Sequence, residues 1–378
     1  MTPEPPMRET PPESFYEVDG EELDGRPGSL IRAVGLTAPR GVRGWAILYR
    51  STGHAGTGVA VSGLVLAPAR EANGASSPPP AGGGHPIVAW AHGTTGLADA
   101  CAPSRQGAVG VGYEPLLELV RRGFVVTATD YEGLGTAGIH PYLVGSSEGR
   151  SILDSIRAAR ALADAGAGER AAIVGISQGG HAALWAGELV DAYAPELDVA
   201  GVVAASPPMD LRAVQREVLD RDEVGAAAWL ESLMVAAAWR RVYDAQFEGV
   251  LTDEAEGIVR RLEDECPWAI APPSRDPFRI DPRELSEWQA LLEANSVGQR
   301  AARPPILVLA ATEDVLVPPS TIPIGVDRLC SAGSSVELRW VDGPHEATLA
   351  DPIGAAMAIS WTIDRLEGGP SVDGCGRR

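Results

Sequence analysis

From residue 86 onward the chain alternates short, unbroken apolar runs with segments of helical period. The runs are Pro86-Ile-Val-Ala-Trp90, Phe124-Val-Val-Thr-Ala128, Ala172-Ile-Val174, Val199-Ala-Gly-Val-Val203, Pro305-Ile-Leu-Val-Leu309 and Val336-Glu-Leu-Arg-Trp340. Helical period is clearest over residues 114–122, 151–165, 178–193 and 352–366. A strand with one wet face alternates apolar and polar side chains. Unbroken runs joined by helices therefore mean an α/β fold, a mostly parallel sheet with helices on both faces. Two further strand-like runs, Trp45-Ala-Ile-Leu-Tyr49 and Val59-Ala-Val-Ser-Gly-Leu-Val-Leu66, come earlier.

The rhythm stops between residues 207 and 303. This interval has no clear strand, carries helical patterns such as Ala226 to Trp239, and ends in the Pro-rich stretch Cys266 to Pro282. A mainly helical insertion between two strands reads as a cap over the carboxyl edge of the sheet, where open α/β folds bind ligands. The expected organisation is an irregular arm over 1–28, a core over 29–206 and 304–378, and a helical cap over 207–303. The Trp and Met residues of 226–239 read first as cap core and second as the wall of an acyl-chain pocket. Residues 71–84, rich in Gly, Pro, Ser and Ala, read as a mobile connection.

Composition narrows the chemistry. The formal charge is −20 and no basic stripe is present, which argues against a nucleic-acid partner and an anionic membrane surface. All 31 basic residues are Arg, so P-loop, Schiff-base and Ser-Lys chemistry is excluded. Apolar runs end well short of about 18 residues, so no integral membrane segment is expected. The N-terminus lacks the basic start and apolar core of a secretory signal, consistent with a protein that stays inside or one that was trimmed. Cys101, Cys266, Cys330 and Cys375 lack zinc or redox spacing; they read as buried thiols or as one of three disulfide pairings.

Gly-x-Ser-x-Gly occurs twice, as Gly175-Ile-Ser-Gln-Gly179 and Gly145-Ser-Ser-Glu-Gly149. Ser177 follows an apolar run and opens a helix, the arrangement a nucleophile elbow requires. There a strained turn exposes the hydroxyl, glycines remove clashing side chains, and the positive end of the helix faces a developing oxyanion. Ser147 reads instead as a helix N-cap with Glu148 in the first turn. A serine nucleophile needs a base held by an acid. Of six histidines, His54 and His85 sit in Gly-rich connections, His92 in an early loop, His140 beside a Pro, and His181 inside a helix. His345 lies in a loop after the last strand and before the last helix, where the base of an α/β-hydrolase belongs. Asp314 follows the run ending at Leu309 and gives the order Ser, acid, His; Glu313 competes, and Asp342 is too near His345 along the loop. The oxyanion hole would use the amides of Gln178 and of Thr94, in the loop Ala91-His-Gly-Thr-Thr-Gly96.

The chain resembles the secretory lipase family of α/β-hydrolases. Three blocks carry the resemblance: Ala91-His-Gly-Thr-Thr-Gly-Leu-Ala-Asp-Ala-Cys-Ala-Pro-Ser104; Thr129-Asp-Tyr-Glu-Gly-Leu-Gly-Thr136 with His140-Pro-Tyr-Leu-Val-Gly145; and Gly175-Ile-Ser-Gln-Gly179. It implies an α/β-hydrolase fold and hydrolysis of carboxylic esters, with Ser177, Asp314 and His345 as the matching triad. It also implies a bridge between Cys101 and Cys266. The roles of Asp130 and Tyr131 stay open between positioning the site and forming a turn. The expected enzyme takes a small-molecule ester or lipid and needs no metal or cofactor. Acyl transfer, thioester release and catalytically silent binding are the rival readings.

Overall fold

A computed structural model describes residues 10–69, 83–106, 113–221, 225–245, 247 and 249–377. The connection expected over 71–84 lies outside the described residues except for its last two glycines. The strands are β1 (Leu30–Leu36), β2 (Val42–Thr52), β3 (Gly58–Pro68), β4 (His85–Ala91), β5 (Val125–Thr129), β6 (Ala167–Ile176), β7 (Asp198–Ala205), β8 (Ile306–Ala311) and β9 (Val336–Val341). They form one nine-stranded sheet in the order β1-β2-β3-β5-β4-β6-β7-β8-β9. β1, β2 and β3 make an antiparallel meander, and β3 also pairs antiparallel with β5. From β5 to β9 every pairing is parallel. The mostly parallel α/β fold is therefore as the sequence pattern indicates.

Both faces of the central strands are buried, which is why their sequences do not alternate. In β4, Ile87, Ala89 and Ala91 join one cluster with Ile152, Leu184 and Val326, while Val88 and Trp90 join another with Leu117, Trp361 and Leu366. The helices supplying these layers are α1 (Tyr113–Arg121), α2 (Gly145–Ala161) and α3 (Gln178–Tyr193), then two helices after the insertion, at Ile322–Ser331 and Pro352–Leu366. β1, which the periodicity misses, is an edge strand whose residues are at most partly buried. His85, expected in a connection, begins β4.

Between β7 and β8 the described chain forms α4 (Leu211–Leu219), α5 (Ala226–Val242), α6 (Asp253–Leu262) and α7 (Ser286–Asn295) and no strand longer than an isolated bridge. Met234 and Trp239 are buried in a cluster with Trp288 and Leu262, and this cluster also takes in Leu97, Tyr142 and Leu143 from the loops of the sheet edge. Trp239 donates its indole N–H to the Tyr142 carbonyl at 3.0 Å. After β8 come α8 (Ile322–Ser331), α9 (Ala347–Ala350) and α10 (Pro352–Leu366). The free-thiol reading of the cysteines is corrected: Cys101 is bridged to Cys266 and Cys330 to Cys375.

Candidate active site

Ser177 alone turns the chain from β6 into α3, at φ 56° and ψ −121°. A side chain with a Cβ seldom takes such a conformation, so the surrounding contacts must impose it. They are close: a Cβ on Gly175 would lie 2.0 Å from the Gly179 carbonyl oxygen, and one on Gly179 would lie 2.0 Å from that of Ala91. Three backbones meet there because no side chain intervenes. The Ser177 amide is tied to the Ala205 carbonyl of β7 at 2.8 Å.

His345 follows β9 and is 6% exposed. Its Nδ1 lies 2.7 Å from Asp314 Oδ2 in the loop after β8. The other oxygen of Asp314, Oδ1, accepts from the amides of Leu316 and Val317 at 2.9 and 2.8 Å, which fixes the carboxylate in place. A carboxylate accepts only, so Nδ1 carries the proton and a neutral His345 presents Nε2 as a bare acceptor. Among the described residues Nε2 has no hydrogen-bond partner. Glu313 and Asp342 are exposed and make no bond to the ring. Burial opposes charging of His345, but the hydrogen bond to Asp314 and the charges of Asp314, Glu231 and Glu346 outweigh it, raising its pKa above the ordinary value.

Ser177, His345 and Thr94 line one cavity of about 250 Å³. A second, of about 90 Å³, is lined by Ser177, Gln178 and apolar side chains of the insertion, including Leu211, Val218, Val235 and Trp239. Glu231, on α5, borders both. The amides of Thr94 and Gln178 donate to no acceptor among the described residues. Tyr131, at φ 72°, donates its hydroxyl to the His92 carbonyl at 3.0 Å, and Thr94 Oγ1 bonds the Tyr142 hydroxyl at 2.9 Å, so this loop is held from two sides. Asp130 accepts from the Ser104 amide and from the hydroxyls of Ser104 and Ser62, pinning the Cys101–Ser104 turn to β3.

Ser147 is corrected from N-cap to first-turn residue. α2 begins at Gly145, and the Ser147 hydroxyl donates to Glu132. Behind the elbow lies a buried polar network. Gln178 Nε2 donates to Glu148 Oε1 at 2.7 Å and to His140 Nε2 at 2.8 Å. His140 Nδ1 donates to the Glu132 carbonyl at 3.0 Å, leaving Nε2 as the acceptor that Gln178 needs. Burial lowers the His140 pKa and keeps the ring neutral. His181 donates Nε2–H to the Asn295 carbonyl at 2.7 Å. Neither this network nor Glu231 is evident from spacing, because the partners lie far apart in sequence.

A family model described as Secretory lipase matches residues 103–268 and 283–374. A Mycobacterium tuberculosis protein named as a probable inactive lipase is 27% identical over 92% of this chain and 80% of its own length. A secreted triacylglycerol lipase of Malassezia globosa is 26% identical over 96% of this chain and 82% of its own. Among solved structures, Candida antarctica lipase A in its closed state superposes with a TM-score of 0.78 at 18% identity, covering 95% of this chain and 87% of that one. At that identity the likeness bears on the fold alone.

Proposed function

The chain belongs to the secretory lipase family, and from that premise we propose that it cleaves carboxylic esters through a Ser177, His345, Asp314 triad and an acyl-enzyme intermediate. Membership of this family supports ester hydrolysis. The assignment of the residues rests on one observation. Asp314 orients His345 by the 2.7 Å bond to Nδ1, and the opposite, unpartnered nitrogen belongs to a ring lining the same cavity as Ser177.

In the proposed cycle His345 Nε2 takes the proton of Ser177 Oγ as that oxygen bonds the ester carbonyl carbon. The resulting oxyanion is received by the Thr94 and Gln178 amides, which have no other acceptor among the described residues to give up. When the carbon–oxygen bond to the alcohol breaks, His345 returns the proton to the departing oxygen. Water then gives a proton to His345 and its oxygen to the acyl carbon, and Ser177 is released with its hydroxyl restored. Asp314, bonded to Nδ1, stabilises the imidazolium. The insertion over 207–303 serves as the cap, and its apolar cavity beside Ser177 takes the acyl chain.

Ser177→Ala is expected to lower kcat on a short p-nitrophenyl ester by on the order of 10⁶. Turnover retained in that variant would exclude Ser177 as the nucleophile. The name of the mycobacterial relative motivates a second reading, a silent binding protein on the same fold. It predicts no turnover in the unsubstituted chain either.

A further inference from the structure

The 250 Å³ cavity holds two polar atoms that the proposed mechanism does not use. His92 is 5% exposed and lines the cavity. Its Nδ1 lies 2.7 Å from the Gly93 carbonyl oxygen, so it is Nδ1 that carries the proton, and its bare Nε2 is buried without a hydrogen-bond partner among the described residues. Burial lowers the His92 pKa, outweighing the backbone groups of Gly93 and Asp130 and the charges of Asp130 and Glu148, and so favours the neutral ring. Thr95, three residues on, lines the same cavity, and its Oγ1 is likewise buried with no partner among the described residues. Most other polar side chains of the wall are accounted for: Asp130 by Ser62 and Ser104, Thr129 by Tyr49, Thr94 by Tyr142. The rest of the wall is apolar, with Leu64, Leu66, Trp90 and Ile176, except for the acidic side chains of Glu231 and Glu346. Native proteins rarely leave buried polar atoms unpaired, and such atoms in a cavity beside a reactive group point to a ligand that pairs them.

We infer that this cavity is a subsite for a free hydroxyl group on the alcohol part of the ester, accepted by His92 Nε2 and bonded by Thr95 Oγ1. The pairing selects the group. A carbonyl or carboxylate cannot donate to His92, whereas a hydroxyl donates to it and bonds Thr95 Oγ1 in either direction. An anionic group would also face the acidic side chains of Glu231 and Glu346, which line the same cavity. Water occupies roughly 30 Å³ per molecule in the liquid, so 250 Å³ admits a head the size of glycerol. His92 and Thr95 flank Thr94, whose amide is the proposed oxyanion donor, so a hydroxyl bound between them lies close to the scissile bond. The acyl chain is left to the other cavity. Esters of polyhydric alcohols that keep a free hydroxyl are then preferred over simple alkyl esters. The inference rests on the reading of Ser177 as nucleophile only for which part of the ester enters the cavity.

The test uses two ethers that cannot be hydrolysed, 1-O-hexylglycerol and hexyl methyl ether, titrated calorimetrically into the full chain. The expected result is about tenfold tighter binding of the glycerol ether, the scale of one or two neutral hydrogen bonds. In Thr95→Val, which keeps the shape of the side chain, and in His92→Leu, the preference falls toward one. Equal affinities in the unsubstituted chain, or a preference surviving in Thr95→Val, overturn the inference; Thr95→Val decides alone if His92→Leu does not fold. Because neither ether turns over, the outcome is independent of whether Ser177 hydrolyses esters.

Discussion

At the scale of single residues the sharpest expectation concerns Glu231. Burial pushes its carboxyl up to about 7, and its charge is among those that raise His345. His345 must be neutral to take the Ser177 proton, so kcat/KM should rise with pH through the raised pKa of the free protein. A negative charge at Glu231 favours the imidazolium and moves that limb upward; removing it moves the limb down. Glu231→Gln is therefore expected to shift the acidic limb to lower pH by on the order of half a unit. A pH profile of kcat/KM checks this, and an upward or absent shift contradicts it. Glu231 was not legible in the sequence, because a lone acid on a helix normally faces water. Ser177, Asp314 and His345 could be nominated because each follows an apolar strand run, and strand ends define where a side chain emerges.

At the scale of elements, the elbow depends on β4, β6 and α3 touching through glycine. Gly179→Ala puts a methyl 2.0 Å from the Ala91 oxygen, and neither backbone can yield without moving β4 or α3. We expect a stability loss of at least about 1–3 kcal/mol, read as a lower denaturant midpoint; an unchanged midpoint would mean that the elements do not meet so closely. The Cys101–Cys266 bridge joins the loop after β4 to the insertion across 165 residues. Replacing both cysteines by serine is expected to cost about 2–5 kcal/mol in denaturant unfolding, and an unchanged midpoint would contradict that. Elements were legible where burial is two-sided or helical period is strong: α3 and α10 begin and end where the pattern does. α2 starts six residues ahead of its pattern because its first turn, Gly145 to Gly149, has no apolar residue to mark it, and Gly145 is needed for contact with Trp185. β1 left no signature because neither of its faces is fully buried.

At the scale of the whole molecule, loops after β4, β6, β8 and β9 converge on one edge of the sheet, and four helices of the insertion pack against the loops of that edge. The parallel core and the side of the sheet that carries the site could be read from the alternation of runs and helices. The two cavities could not, because they arise from side chains of the insertion and the core meeting across long sequence distances. The central claim, that this edge makes the Ser177 hydroxyl reactive, is tested most directly by labelling the full chain with a fluorophosphonate and mapping the modified peptide. The account predicts a single adduct on Ser177, formed in step with loss of ester turnover and absent from Ser177→Ala. No adduct, or an adduct at another serine with turnover intact in Ser177→Ala, would contradict it.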